Sequence, residues 1–175
     1  MVLLKDFSWI TSIPSYVIAI CAMIALYYNR RHYFKIVKPL IIVGYGDFEN
    51  YLLVELRNCG VGPAKIINTR VFKDDDDEIK NTLIDWLPKK LDKSCEYKYY
   101  ASRYKDYYLS SNNSYKLIEI KIDDEVQTGI EQREIIRAIL KDLYIIVDFE
   151  DIYGKRFESV KMNLKYFGRT DHVNN

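Results

Sequence analysis

The stretch YKYYASRYKDYYLSSNNSYK, residues 97–116, gathers seven tyrosines, four basic side chains and a single acid. Phenol rings offer stacking faces for nucleobases and interleaved Lys and Arg offer countercharge for phosphates, a combination worth about 1–3 kcal/mol per stacked base. Its second half, RYKDYYLSSNN, runs into a Ser and Asn cluster and reads as an exposed loop. Lys98, Arg103, Tyr104, Lys105, Tyr107 and Tyr108 are therefore the candidate ligand-binding residues, for a nucleotide or a short single-stranded oligonucleotide. Two other readings fit the same residues. Tyrosine favours strands, with Tyr97 and Tyr99 on one face and Lys98 and Tyr100 on the other. Tyrosine and arginine are also enriched at protein interfaces.

Catalysis has no comparable set of residues. His32 lies beside a long apolar run and His172 in a polar tail, and neither position suits the base of a nucleophile or a buried metal ligand. Cys21, Cys59 and Cys95 are odd in number and widely spaced, which implies neither a disulfide framework nor a zinc site. DDDDE, residues 74–78, lacks the alternating oxygen ligands and closing glutamate of an EF-hand and reads as a solvated loop. Asp148 and Glu150 share one strand face and are expected to face water. Gly60 and Gly62 belong to no GxxxxGKS/T pattern and precede no helix, so they are not a phosphate loop. No enzyme activity, cofactor or metal is expected.

The elements that must position the tyrosine stretch begin with a membrane anchor. WITSIPSYVIAICAMIALYY, residues 9–28, contains no charged side chain and as a helix reaches about 30 Å, the thickness of a bilayer core. Trp9 at one end and Tyr27 with Tyr28 at the other match the aromatic belts of a span. A cleaved signal peptide carries its positive charge before the apolar run. Here Arg30, Arg31, Lys35 and Lys38 follow it, and only Lys5, beside Asp6, precedes it. The same bias orients the span with the N-terminus outside and the rest in the cytoplasm of an inner-membrane protein. Thr11, Ser15, Ala19 and Ala22 fall on one side of the helix, where small residues allow helices to pack or to line a pore. A lone inert anchor is the alternative. The expected organisation is an N-terminal segment 1–8, a transmembrane helix 9–28, a basic juxtamembrane linker 29–38, a cytoplasmic β domain 39–169 and a polar tail 170–175.

From Pro39 onward short apolar segments alternate with turn residues, the pattern of a mainly β fold. LIIVGYG and YLLVELRN form a hairpin across DFEN, with Leu52, Val54 and Leu56 on its buried face. KIINTRVF, YKLIEIKI, LYIIVDFE and RFESVKMNLKYF supply further strands, for at least six in all. TLIDWLPKKL reads as a short turn or helix, and IEQREIIRAILKDL as a helix with the helical spacing of Ile135, Ile136, Ile139 and Leu140. The fold class is a β-sandwich or barrel-like domain with one or two short edge helices. In RNCGVGPAKI, Gly60 and Gly62 are expected to adopt backbone angles closed to other residues, and Asp151–Lys155 to form a tight turn with Gly154 at positive φ.

The NxGxGPA pattern at Asn58, Gly60, Gly62, Pro63 and Ala64, with Asp151, Tyr153 and Gly154 after Phe149, resembles bacterial proteins that have one N-terminal span and a cytoplasmic β-sandwich. Some similar small membrane proteins are effectors of anti-phage defence, including oligomeric channels of the Hailong type. The resemblance implies a homo-oligomeric pore gated by a nucleotide or short oligonucleotide. The net charge of +1 leaves any such electrostatic function to local clusters. The alternative is a membrane-tethered module whose sandwich binds a protein partner.

Overall fold

The computed structural model describes residues 8–73, 78–102 and 105–169, and within the first helix only the side chains of 14–33. The polar tail 170–175 and the aspartates 74–77 lie outside these residues. The chain divides between Lys38 and Pro39 into two compact units.

Among its described residues the first unit holds one helix, α1 (Ser8–Ile36), with Pro14 in its second turn. It runs eight residues past Tyr28, so most of the expected juxtamembrane linker is helical. Arg30, Arg31 and Lys35 are good helix formers, and the next helix-breaking residue is Pro39. Val37 still donates its N–H to the Tyr33 carbonyl at 3.1 Å. The described side chains of α1 are all exposed. Among the described residues, no helix is long and apolar enough to cross a membrane. The expected span starts at residue 9, and side chains 9–13, Thr11 included, are outside that description.

The second unit is mainly β. Four strands, β1 (Ile41–Asp47), β2 (Tyr51–Asn58), β5 (Cys95–Tyr100) and β7 (Ser114–Ile122), form one sheet in the order β1-β2-β7-β5. Five others, β3 (Ala64–Lys73), β4 (Ile79–Lys80), β6 (Tyr107–Leu109), β8 (Leu143–Asp151) and β9 (Val160–Asn163), form a second in the order β4-β3-β8-β9, with β6 also beside β3. All pairings are antiparallel, and α2 (Gln127–Leu140) carries the chain from β7 to β8. Alternation puts Leu52, Val54 and Leu56 of β2, Ile118 and Ile120 of β7, Ile66 of β3 and Ile145 and Val147 of β8 into one apolar core. Each such side chain contributes about 1.5–3 kcal/mol on leaving water.

Three expectations are corrected here. RFESVKMNLKYF is a strand only over β9, because Leu164 turns inward and Lys165–Gly168 close into a 3-10 turn that buries Phe167. Helix α2 starts and ends three residues earlier than the 130–143 window, with Ile136 and Leu140 buried but Ile135 51% exposed. Its inward position is filled by Arg137, which pairs with the buried Asp47 at 3.3 Å and donates to the Phe167 carbonyl at 3.1 Å. Gly60 and Gly62 take no positive φ, which among described glycines belongs to Gly154 alone. Gly154 does occupy the expected Asp151–Lys155 turn, closed by Asp151 N–H on the Lys155 carbonyl at 3.0 Å.

Candidate functional site

The tyrosine stretch is partly absorbed by the fold. Residues 95–100 form β5, an edge of the first sheet, and 107–109 form β6 against β3 of the second, so the stretch crosses between the sheets. In β6 Leu109 is buried while Tyr107 and Tyr108 are exposed, and the Tyr107 ring packs against Tyr115 with ring centres 4.1 Å apart. Tyr99 meets Tyr115 edge-on at 6.2 Å, which makes Tyr115 the centre of an aromatic tier. Burial, and then the neighbouring Tyr99, push the Tyr115 phenol well above its ordinary range. Tyr97 donates to the Pro88 carbonyl at 2.6 Å, and burial pushes its phenol up to about 12.

The expected binding residues do not converge as a set. Arg103 and Tyr104 lie outside the described residues. Tyr107 is exposed but packs one side of its ring on Tyr115, and a strand replaces the expected loop because its backbone completes the edge of β3. Tyr108 stands opposite Lys65, whose ammonium bridges Asp106 and Glu150, each at 3.3 Å. Lys105 is exposed in the turn before β6. Lys98 is on the other sheet, at the bulge between Tyr97 and Tyr99.

Lys98 has company that the sequence did not announce. With Asn50, Tyr51, Glu119 and Lys121 it lines an open cleft of about 460 Å³ on the first sheet. Register creates this group: Tyr51 of β2 is directly opposite Lys121 of β7, which in turn faces Glu96 of β5. Phe48, in the β1–β2 turn, stacks on Tyr51 with ring centres 4.4 Å apart. Gly46 makes that stack fit, since a Cβ there would sit 2.7 Å from the Phe48 ring. The Lys98 ammonium is 2.8 Å from Glu96 and holds that carboxyl below its ordinary range, with Lys121 adding to the effect. Glu119 is engaged by Lys116 at 2.7 Å. The cleft thus joins the Tyr51 ring, an amide, two ammonium groups and the Glu119 carboxylate.

The remaining acids have structural partners. Asp148 accepts two bonds from Arg70 at 3.1 and 3.0 Å, and Glu150 is held by Lys65, so neither simply faces water. Among the described residues no group of His, Cys, Asp or Glu could hold a metal ion. Burial pushes the Cys95 thiol up, away from the reactive thiolate.

The NxGxGPA residues have a mechanical role. The buried Asn58 amide donates to the carbonyls of Gly62 at 2.8 Å and Leu109 at 3.1 Å, and its oxygen accepts from the N–H groups of Gly60 at 3.0 Å and Leu40 at 3.1 Å. It thereby ties β1, the 59–63 loop and β6 to the end of β2. No protein-family model, curated protein or solved structure matches this chain.

Proposed function

We propose that this chain is a membrane-anchored, homo-oligomeric effector in which a nucleotide or short oligonucleotide, held in the Tyr51–Lys98–Lys121 cleft, controls a pore formed by the N-terminal helices. The observation that carries the ligand reading is the meeting of Tyr51, its ring stacked on Phe48, with two ammonium groups in one cleft. The span reading is supported by the uncharged run 9–28 and by an α1 whose Val17, Ile18, Ile20, Met23, Ile24 and Leu26 are all exposed in the single chain. Such a helix needs lipid or further copies around it. Ser15, Ala19 and Ala22 are the residues through which copies would pack or line the pore. The defence role rests on the resemblance carried by Asn58, Gly60, Gly62, Pro63 and Ala64. A second reading, a tethered module that binds a protein, is favoured by Tyr100 and Tyr108, which are exposed and lie outside the cleft.

The test is a binding titration of the full chain in detergent against fluorescent mononucleotides and short single-stranded oligonucleotides. Lys121→Gln and Lys98→Gln are expected to weaken binding about tenfold and to flatten its salt dependence, because fewer counterions are released. Gly46→Ala, which displaces the Phe48 ring, and Tyr51→Leu are expected to weaken binding without changing that slope. No binding at low salt, or equal binding by all four variants, removes the cleft from the reading.

A further inference from the structure

Four segments meet at one end of the sandwich: Leu40, where the chain enters; the 59–63 loop; the 110–113 turn; and the Asp151–Lys155 turn. The Leu40 carbonyl accepts from Cys59 N–H at 2.8 Å, Ser111 Oγ donates to the Gly60 carbonyl at 2.7 Å, and Ala64 pairs with Asp151. Turn tips ordinarily carry Gly, Asn or Asp. Here they present Val61 and Tyr153, each 64% exposed, and Ile152 at 50%, beside Leu40 at 57%. The Asp151 carboxylate accepts from the N–H groups of Tyr153 at 2.8 Å and Lys155 at 2.9 Å and so holds the turn. Exposed Lys155 and Arg156 follow directly, and Arg57, on β2 of the other sheet, is held by Glu55.

We infer that this end of the sandwich rests on the headgroup region of an anionic bilayer, with Val61, Ile152 and Tyr153 inserted and Lys155 and Arg156 against lipid phosphates. Aliphatic tips, an amphipathic ring and adjacent cations are the composition of an interfacial contact. Tethering selects this end over the other. Residues 29–36 continue the helix about 12 Å past Tyr28 and residues 37–40 join Ile36 to Ile41 over at most about 18 Å, so the chain enters the sandwich at this end within about 30 Å of the span, whereas β3 carries the far end about 30 Å beyond it. A contact too weak to recruit a free protein becomes occupied when the chain is already held at the surface. The inference rests on the span over 9–28.

Cys59 provides a native probe, because it is exposed at this end while Cys95 is buried. The full chain carrying Cys21→Ala is labelled at Cys59 with a nitroxide and reconstituted into nanodiscs containing one-third phosphatidylglycerol. Collisions with oxygen are expected to exceed those with a water-soluble nickel complex several-fold. A control label at Glu125→Cys, combined with Cys59→Ser, should report water. Val61→Asp with Tyr153→Asp should return the Cys59 label to water without loss of the chain from the discs. A chain that fails to co-purify with discs removes the span, and the docking with it. A chain that co-purifies while its Cys59 label matches the Glu125 control overturns the docking alone. Spin–spin broadening at Cys59 in lipid-free detergent overturns it in favour of contact between copies.

Discussion

Asn58 uses every hydrogen-bonding position of its amide, two as donor and two as acceptor, at a site only 1% exposed. Asn58→Ala strands these backbone groups in a buried place and should lower stability by about 3 kcal/mol, read as a shift in the urea midpoint with an unchanged slope. Tyr97 makes a pH prediction. Its raised pKa of about 12 against the ordinary 10 means that the folded state keeps the phenol proton longer than the unfolded chain. Its contribution is complete below pH 10 and is lost as pH rises from 10 to 12. Thermal unfolding should therefore show a loss of stability across that window that is smaller in Tyr97→Phe than in the parent. The candidate site was legible at this scale only in Lys98. Tyr51 and Lys121 are ordinary strand residues in sequence, seventy positions apart, and only the β2–β7 register makes them neighbours.

At the scale of elements, the β1–β2 hairpin could be read because its alternation and the DFEN turn are local. The short strand β6 could not, because YYL sits among polar turn residues and owes its conformation to the unpaired edge of β3. Asp106 and Asn112, both at positive φ, bracket it and give it its turns. Helix α2 hides a further constraint. A Cβ on Gly129 would lie 2.0 Å from the Asp123 carbonyl oxygen, a backbone atom that cannot swing aside. Gly129→Ala, neutral or favourable in a free helix, should here destabilise the sandwich by about 1–3 kcal/mol, measurable by thermal denaturation. For α1 the small-residue stripe makes the prediction. Ser15→Leu, Ala19→Leu and Ala22→Leu leave a lone anchor indifferent, since leucine suits lipid, but should reduce the oligomer seen by light scattering in detergent. Unchanged assembly in all three variants would assign the helix to anchoring alone.

For the whole molecule, the first unit is a helix with exposed apolar side chains, and the sandwich carries a polar cleft built from three strands. The mainly β character of the second unit followed from composition and alternation because burying one face of each strand is a local demand. The cleft was less accessible, because it arises from pairings between distant strands and leaves no local pattern. The central claim is that cleft and pore are coupled, so that ligand binding energy shifts a conducting equilibrium. The most direct measurement is ion conductance of the full chain in planar bilayers while nucleotides and short oligonucleotides are titrated on the sandwich side. The account predicts that at least one of them changes open probability tenfold or more, and that Lys121→Gln moves this response to higher concentration without altering single-channel conductance. A conductance indifferent to every ligand, or a response identical in Lys121→Gln, would contradict it.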